Sequence, residues 1–369
     1  MAKLHSRQQS GLTQSQLSLF QSNGSGLAAF DLDQPLFRIR ERGRYGFMNA
    51  RGEVIIEPQF LEAEDFYNGF SRVLLNDRLV PMDKLGRLLM KRMFNYVGYF
   101  HEGLAPAQLV RRWGYLDVNG NLAIPAQFED AGEFNEGLAP VRLGGRWGYL
   151  DKYGEFVIEP QFARAGIFSG GLAPVQLDDQ WAYIDPEGRV IMILPFDECF
   201  PFQGDAAPVR LGKQWGLAHR FSEILLEPQF DIPDNEPFGE FSEGITTIIQ
   251  DKKFGFLNTD GEMILKPSYD FAGDFSEDLA PVKSGKTFGF VDKKGLPAIP
   301  FHFEDAGIFS EGLAPVRMDQ QWGFINKNKN MIIKPSFDAV LPFRDGLAWT
   351  EKAGKWAYIN KIGEVIWRE

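Results

Sequence analysis

The sequence predicts an all-β protein of ten tandem units, each a three-stranded antiparallel sheet of about 34 residues. Three observations support this prediction: an aromatic residue followed by glycine recurs at a fixed period, turn signals recur within each period, and phenylalanines recur at two fixed positions. A period of this length is the signature of a repeat array, in which a small unit buries its apolar face only against its neighbours.

The recurring aromatic residue, which we call the anchor, defines the units. Successive anchors are 34 residues apart, except for one step of 39 residues from Trp215 to Phe254. The ten anchors are Tyr45, Leu79, Trp113, Trp147, Trp181, Trp215, Phe254, Phe288, Trp322 and Trp356, of which Leu79 is a degenerate copy. Residues that recur in every unit are expected to be scaffold, so function is expected where the pattern breaks.

Each unit contains three β-rich runs joined by two turn signals. In the fourth unit the runs are Ala139–Leu143, Trp147–Asp151 and Glu155–Pro160. Gly144 and Gly145 form a two-residue hairpin signal between the first two runs. Asp151 and Gly154 join the second and third, because Asp accepts hydrogen bonds from turn amides and Gly adopts left-handed geometry. The unit is therefore predicted to be a meander.

Two aromatic series predict the core. One aromatic residue follows each of the first nine anchors by fifteen residues: Phe60, Phe94, Phe128, Phe162, Phe196, Phe230, Tyr269, Phe303 and Phe337. A second phenylalanine precedes the first strand of many units: Phe100, Phe134, Phe168, Phe202, Phe275 and Phe309. Large rings at fixed phase supply the buried area that a thin sheet needs. A carbohydrate-stacking face made of the same rings is the alternative.

Three motifs of the unit resemble a known family. They are the runs GLAPV at Gly137–Val141, RWGYLD at Arg146–Asp151 and IEPQF at Ile158–Phe162. Together they resemble the WG-repeat family of bacterial proteins, and the resemblance covers residues 36–369. The family resemblance implies a β repeat array and no catalytic residues.

The arrangement of the units is expected to be an open, curved, solenoid-like array. The last unit ends with its own third strand at Glu364–Glu369, so no strand is left over to close a ring. Ten units also exceed the usual four to eight blades of a propeller. A closed, propeller-like ring is the alternative.

Composition favours a cytoplasmic interaction protein. With 39 basic and 50 acidic side chains the net charge is −11, which disfavours strong direct binding of nucleic acid or of an anionic membrane by the body of the protein. The single cysteine, Cys199, excludes an intrachain disulfide. The sequence contains neither a signal-peptide pattern nor an apolar run long enough to span a membrane.

No catalytic residue, metal ligand set or cofactor site is predicted. The histidines His5, His101, His219 and His302 fall at unrelated phases of the repeat. Cys199 is expected to be a small core residue, since no histidine shares its phase. No phosphate loop, nucleophile elbow or HExxH motif occurs.

Two regions of different character are predicted: a disordered tail at residues 1–26, rich in Gln, Ser and Gly, and a repeat array at residues 27–369. The tail contains an apolar cluster that is unusual in such a segment: Gln16, Leu17, Ser18, Leu19 and Phe20.

This pentapeptide resembles the motif by which bacterial replication and repair proteins dock on the DNA polymerase sliding clamp. The resemblance implies that Gln16 bonds in a polar subsite, Leu17 covers an apolar patch, Ser18 is a spacer, and Leu19 and Phe20 fill a deep hydrophobic pocket. Alternatively, the apolar residues of the tail cap the exposed first unit.

A second partner patch is predicted from the only local concentration of basic residues. It comprises Lys84, Arg87, Lys91, Arg92, Arg111 and Arg112. Sequence drift in one unit is the alternative explanation.

The function predicted from these features is that of a non-catalytic interaction protein. It would dock on the clamp through its tail and present the array to a second, unknown protein in replication or repair. The alternatives are a protein-binding scaffold or effector with an inert tail and a glycan-binding module.

Overall fold

The protein is all-β, and its strands are grouped into small antiparallel sheets arranged in tandem, as predicted. The computed structural model describes residues 33–89, 94–221, 223–231 and 239–369. These residues form 36 strands in ten separate sheets, none of which closes into a barrel. No helix in this part of the chain is long and apolar enough to cross a membrane.

The strands, numbered in chain order, have four roles. The first strand of each unit is β1 (Leu36–Glu41), β4 (Phe70–Leu75), β7 (Leu104–Leu109), β11 (Ala139–Leu143), β15 (Ala173–Leu177), β19 (Ala206–Leu211), β22 (Ile245–Gln250), β26 (Leu279–Ser284), β30 (Leu313–Met318) and β34 (Leu347–Lys352). The anchor strand is β2 (Arg44–Asn49), β5 (Arg78–Asp83), β8 (Arg112–Asp117), β12 (Arg146–Leu150), β16 (Gln180–Ile184), β20 (Gln214–His219), β23 (Lys253–Asn258), β27 (Thr287–Asp292), β31 (Gln321–Asn326) and β35 (Lys355–Asn360).

The last strand and a short strand complete most sheets. The last strand is β3 (Val54–Phe60), β9 (Leu122–Phe128), β13 (Phe156–Phe162), β17 (Val190–Leu194), β21 (Glu223–Asp231), β24 (Met263–Tyr269), β28 (Pro297–Phe303), β32 (Met331–Phe337) and β36 (Val365–Arg368). The short strand is β6 (Tyr96–Val97), β10 (Asp130–Ala131), β14 (Arg164–Ala165), β18 (Glu198–Cys199), β25 (Phe271–Ala272), β29 (Asp305–Ala306) and β33 (Ala339–Val340).

The short strand corrects the prediction of three strands per unit. Seven of the ten sheets in the described residues have four strands, in the order short, first, anchor, last. In the fourth unit Ala131 pairs with Val141 of the following first strand. A two-residue strand is too short to show the alternation by which strands are recognised in a sequence, which is why the prediction missed it.

Both predicted turns are confirmed. Gly144 and Gly145 have φ values of +61° and +78°, the left-handed geometry of a two-residue hairpin. Oδ1 of Asp151 accepts hydrogen bonds from the backbone N–H groups of Tyr153, at 2.9 Å, and Glu155, at 3.0 Å. These bonds hold the turn between the anchor strand and the last strand.

The glycine after the anchor is required by a bulge in the last strand. Trp147 pairs with Phe162 but Tyr149 pairs with Ile158, so two extra residues of the last strand arch over Gly148. A Cβ atom on Gly148 would lie 2.5 Å from the carbonyl oxygen of Ile158 and 2.7 Å from the nitrogen of Pro160. Glycine therefore permits the close approach that the Glu-Pro segment imposes.

Among the units that have a last strand in the described residues, two lack both the glycine and the bulge. Ala182 and Ala357 follow the anchors of the fifth and tenth units. In the fifth unit Ala182 pairs with Ile193 and Tyr183 with Met192, in continuous register. The anchor strand thus carries alanine where the last strand runs straight and glycine where it bulges.

The core lies between the units. The described residues form ten buried clusters, and each cluster combines side chains from two units that are adjacent along the chain or, in one case, from the first and last units. Both phenylalanine series are largely buried here; Phe162 and Phe168, for example, are at most 1% exposed. This confirms the core prediction and removes the basis for a sugar-stacking face, because buried rings cannot contact a sugar.

The first and tenth units contact each other, so the array is closed into a ring. Phe37 and Ile39 share a buried cluster with Tyr358 and Trp367. The hydroxyl of Tyr358 donates a hydrogen bond of 2.9 Å to the carbonyl oxygen of Arg38. The prediction of an open array is therefore wrong, and the alternative of a propeller-like ring is correct. We call this contact between the first and tenth units the seam.

The seam is built like the other interfaces, with an added ion pair. Gly52 lies against Ile366 across the seam. Gly295, which occupies the same position in its own unit, lies against Ile264 in the same way. In addition, Arg40 donates hydrogen bonds of 3.1 and 2.8 Å to the carboxylate of Glu369. No extra strand is needed for closure, since the seam is formed by side chains packed between two complete sheets.

A glutamate ladder supplements several interfaces. Glu311 accepts hydrogen bonds from the N–H of Gly346 in the next unit, at 3.1 Å, and lies 2.8 Å from Nζ of Lys361. Burial alone would raise the pKa of Glu311, but these two partners outweigh it and hold the pKa below its usual value. Glu102 has the same partners in the fourth unit, Gly137 and Lys152.

We predict that Gly148→Ala lowers the free energy of unfolding by about 1–3 kcal/mol, because the new methyl group overpacks the bulge. The matched change Ala182→Gly, in a unit without the bulge, should cost only about 0.5–1 kcal/mol, the intrinsic cost of glycine in a strand. Urea denaturation followed by tryptophan fluorescence measures both. Equal losses in the two variants would contradict the assigned role of the bulge.

Candidate functional site

The predicted docking motif and part of the predicted basic patch lie outside the described residues. These are Gln16, Leu17, Ser18, Leu19 and Phe20 in the tail, and Lys91 and Arg92 in the second unit. The chain enters the described structure at Asp33 and reaches β1 three residues later.

The remaining basic residues do not form one surface. Lys84 and Arg87 belong to the turn after an anchor strand, whereas Arg111 and Arg112 lie at the hairpin before one. Successive turns of a meander lie at opposite ends of its strands, so the two pairs are separated by a strand length of about 20 Å. The second partner patch therefore stays a prediction, with its two pairs of residues at opposite ends of the strands.

Three of these four side chains have partners within the protein. Nζ of Lys84 donates to the carbonyl oxygen of Gln34 at 2.9 Å. Nε of Arg87 donates to Asp83 at 2.6 Å, and Nη1 of Arg112 donates to the carbonyl oxygen of Gln127 at 3.4 Å.

Cys199 is a core residue. It is 3% exposed, and burial, together with the nearby charge of Glu198, raises the pKa of its thiol to about 12. Among the described residues no group of three or more His, Cys, Asp or Glu side chains could hold a metal ion.

The repeat breaks at the position twelve residues before the anchor. In most units this residue is small and polar and ties the unit to its neighbour; Nδ2 of Asn135, for example, donates to the carbonyl oxygen of Phe168 at 2.8 Å. Around the seam the same position carries Tyr67, His101 and Arg344. In the second unit the neighbouring Asn68 makes the hydrogen bond instead, from Nδ2 to the carbonyl oxygen of Phe100 at 3.0 Å, and Tyr67 adds an aromatic ring.

A second break lies close to the first. In five units the residue fifteen before the anchor is glycine and the residue seven before it is proline, and a Cβ on Gly132 would lie 2.7 Å from Cγ of Pro140. The second unit instead carries Glu64 and Arg72 at these positions, joined by two hydrogen bonds of 2.7 and 2.8 Å. The first unit has Arg38 at the proline position.

Arg72 is an unusual guanidinium because it is only 9% exposed. Burial alone would lower its pKa, but hydrogen bonds to Glu64 and Tyr96 outweigh burial and raise the pKa. The guanidinium also lies over the ring of Tyr99, with Cζ 4.0 Å from the ring centroid. Arg72 thus holds Glu64 and Tyr99 in place.

These exceptional residues line one cleft of about 680 Å³, which we call the seam cleft. It brings together residues from five successive units around the seam. Its lining residues are Arg38, Glu64, Asp65, Phe66, Tyr67, Tyr99, His101, Glu133 and Arg344. Ring closure is what brings Arg344 of the tenth unit beside the residues of the first four.

One wall of the seam cleft is aromatic. Tyr67 and Tyr99 pack edge to face, with their ring centroids 5.6 Å apart, and the His101 ring lies 5.7 Å from that of Tyr67. Tyr67 is 50% and Tyr99 38% exposed, whereas the repeating aromatic residues are buried. This wall therefore offers accessible apolar surface.

The carboxylates of the seam cleft already have cationic or polar partners. Glu64 is paired with Arg72. Asp65 lies 3.4 Å from Nε of Arg38, and Glu133 lies 3.2 Å from Nε2 of His101.

The arginines of the seam cleft retain unused donors. Nε of Arg38 is buried and makes no hydrogen bond in the described structure, although Asp65 is nearby. The carboxylate of Asp345 lies 3.9 Å from Nε of Arg344, beyond hydrogen-bond distance, and the Arg344 side chain is 52% exposed. The cleft therefore presents guanidinium donors beside an aromatic wall.

Sequence analysis did not single out the seam cleft. His101 shares no repeat phase with the other histidines, so it gives no signal of a site by itself. Aligning the units on their anchors would have revealed Tyr67, His101 and Arg344 as exceptions at a position otherwise occupied by small polar residues. The proximity of Arg344 to Tyr67 could not have been found without ring closure.

The architecture defines a class of protein: a closed ring of tandem antiparallel β units. In a comparison with solved structures, 325 chains match. The crystal structure of the eukaryotic initiation factor aligns with a TM-score of 0.54 over 91% of this chain and 95% of its own, at 10% sequence identity. At this identity the likeness shows the fold alone.

Two other matches have lower TM-scores. PorZ, a surface component of the type-IX secretion system of Porphyromonas gingivalis, aligns at 11% identity over 90% of this chain and 61% of its own, with a TM-score of 0.30. The dihydro-heme d1 dehydrogenase NirN aligns at 11% identity over 70% of each chain, with a TM-score of 0.33.

The chain belongs to the WG containing repeat family. The sequence pattern of that family matches residues 45–78, 113–147, 147–181, 181–215, 254–287, 288–322 and 322–356. The matches begin at anchors, and the three anchors at which no match begins are Leu79, Trp215 and Trp356. No curated protein matches the whole sequence significantly.

We predict that Glu64→Gly lowers the free energy of unfolding by about 3 kcal/mol, because it leaves the buried Arg72 guanidinium without its carboxylate. The double change Glu64→Gly with Arg72→Pro installs the glycine–proline pair of the other units and should recover most of the loss. Urea denaturation measures both variants. A double variant no more stable than the single one would contradict the pairing.

Proposed function

We propose that the protein is a non-catalytic interaction protein that docks on the bacterial DNA polymerase sliding clamp and presents its ring to a second protein in replication or repair. The observation that carries the proposal is the sequence Gln16-Leu17-Ser18-Leu19-Phe20, which resembles the clamp-docking pentapeptide and precedes the ring. The repeat fold itself favours a protein-binding or scaffold role.

The expected strength of docking suits a tether. Two or three buried apolar side chains contribute about 1.5–3 kcal/mol each, less the entropy of ordering the tail. We expect a dissociation constant in the low micromolar range, which corresponds to a binding free energy of about −7 to −8 kcal/mol. Most of the affinity would come from Leu19 and Phe20, with Gln16 adding orientation through hydrogen bonds.

Docking through the tail would hold the seam near the clamp. Asp33 is the thirteenth residue after Phe20, so a clamp bound at the motif would be at most about 45 Å from the first unit. Asp33 occupies the same phase of the repeat as Tyr67, His101 and Arg344. A protein bound at the seam cleft would thus be brought to the clamp, which places the proposed site of action at cytoplasmic replication forks.

The second candidate function is a protein-binding scaffold or effector with an inert tail. The seam cleft favours it, since the cleft gathers exceptional side chains of the described residues within the ring. The two candidates differ in whether the tail binds the clamp.

We predict that the full-length protein binds immobilised bacterial clamp with low micromolar affinity and that Leu19→Ala with Phe20→Ala abolishes binding, because the pocket-filling area is lost. Gln16→Ala should weaken binding by about 1–2 kcal/mol through lost hydrogen bonds. Biolayer interferometry measures both, with a known clamp-binding peptide as competitor.

Leu12→Ala is the matched control, since it removes a leucine from the same tail outside the motif, and it should bind as the unchanged protein does. Absence of binding at tens of micromolar clamp, or binding that survives Leu19→Ala with Phe20→Ala, would refute clamp docking through this motif and favour the scaffold.

A further inference from the structure

We infer that the seam cleft is a binding site for an acidic peptide segment, in which a carboxylate is bound by Arg344 and Arg38 and a neighbouring apolar side chain packs on Tyr67 and Tyr99. This inference goes beyond the proposed function, because it assigns a ligand class to the ring and does not depend on the tail.

The first step of the argument is the concentration of exceptions. A repeat scaffold needs the same residue at the same phase, and the seam cleft departs from the scaffold at three phases at once. Tyr67 replaces a small polar residue, Glu64 replaces a glycine and Arg38 replaces a proline. Together these three residues contribute to the lining of one cleft.

The second step is the hydrogen-bond inventory. Glu64 is paired with Arg72, Asp65 lies beside Arg38 and Glu133 lies beside His101, so each acidic side chain of the cleft already has a partner within the protein. Among the described residues Arg344 has no acceptor within hydrogen-bond distance, and Nε of Arg38, although 3.4 Å from Asp65, makes no hydrogen bond. A ligand that complements the cleft must therefore bring an acceptor, and a carboxylate matches the planar fork of a guanidinium.

The third step distinguishes a carboxylate from a polyanion. The three acidic side chains of the lining and the net charge of −11 would repel the successive phosphates of a nucleic acid. A single carboxylate next to Arg344 avoids most of this repulsion. The cleft has few free donors, and these belong to positively charged arginines. It therefore favours a ligand with one acidic group.

The fourth step concerns size and shape. A volume of about 680 Å³ is within the usual range for ligand sites, about 300–1,000 Å³. The lining side chains are, however, partly exposed, so a small metabolite would remain largely in water. An extended segment that crosses the cleft can place its acidic side chain on Arg344 and an apolar side chain over the half-exposed Tyr67 and Tyr99.

The test is a selection from random twelve-residue peptides displayed on phage, with the full-length protein as bait. We expect the enriched peptides to share an Asp or Glu beside a large apolar residue. The best peptide, synthesised with a fluorescent label and an amidated C-terminus, should bind at least tenfold more weakly to Arg344→Ala, a change of about 1.4 kcal/mol. The same peptide with a free C-terminal carboxylate is measured in parallel. The comparison shows whether the bound group is an acidic side chain or the end of the chain.

Matched variants make the result specific. Arg317→Ala removes an arginine of similar exposure, 40%, outside the cleft and should bind the peptide normally. Arg344→Glu should reverse the preference, so that a Lys version of the peptide binds better than the Asp or Glu version. Because Arg344 is half exposed, these variants should keep the unfolding midpoint of the unchanged protein.

Failure to enrich peptides, enrichment without an acidic residue, or equal binding to Arg344→Ala and Arg317→Ala would overturn the inference. The Leu19→Ala with Phe20→Ala variant should bind the peptide unchanged, so that failure here is distinguishable from failure of clamp docking. Tighter peptide binding by that variant would instead identify the protein's own tail as the occupant of the cleft and would also overturn the inference of a separate partner.

Discussion

The packing of each sheet against its two neighbours is the interaction on which the rest of the structure depends. A sheet of four short strands cannot form a core by itself, and the ten buried clusters of the described residues all lie between units. An open array would leave two apolar faces in water, one at each end. Closure buries these two faces against each other, in the cluster that contains Phe37 and Tyr358.

Closure also brings together, in the seam cleft, residues that are distant in sequence. The scaffold positions are constrained in every unit, because changing them disturbs two interfaces at once. The position twelve residues before the anchor varies more between units, and around the seam it is occupied by Tyr67, His101 and Arg344. The rigid ring fixes their relative positions, which reduces the conformational entropy lost when a ligand binds.

The sequence predicted local structure well and long-range structure poorly, for physical reasons. Turns such as Asp151–Gly154 depend on the chemistry of adjacent residues, so they can be inferred from a few letters. Ring closure depends on the summed rotation between units, which no single residue encodes, and the seam cleft depends on closure. The bulge over Gly148 was visible only as a recurring Glu-Pro run, and Ala182 shows in retrospect that the two features occur together.

The central claim, that the first and tenth units are neighbours, is tested most directly by spin-label distances between equivalent turns. Arg42, Asp319 and Ala353 occupy the same exposed turn position, with φ between +48° and +52°, in units one, nine and ten. Labels at cysteines replacing Asp319 and Ala353 report a distance between adjacent units. A closed ring predicts the same short, narrow distribution for labels replacing Ala353 and Arg42, whereas a longer or broad distribution for that second pair would contradict closure.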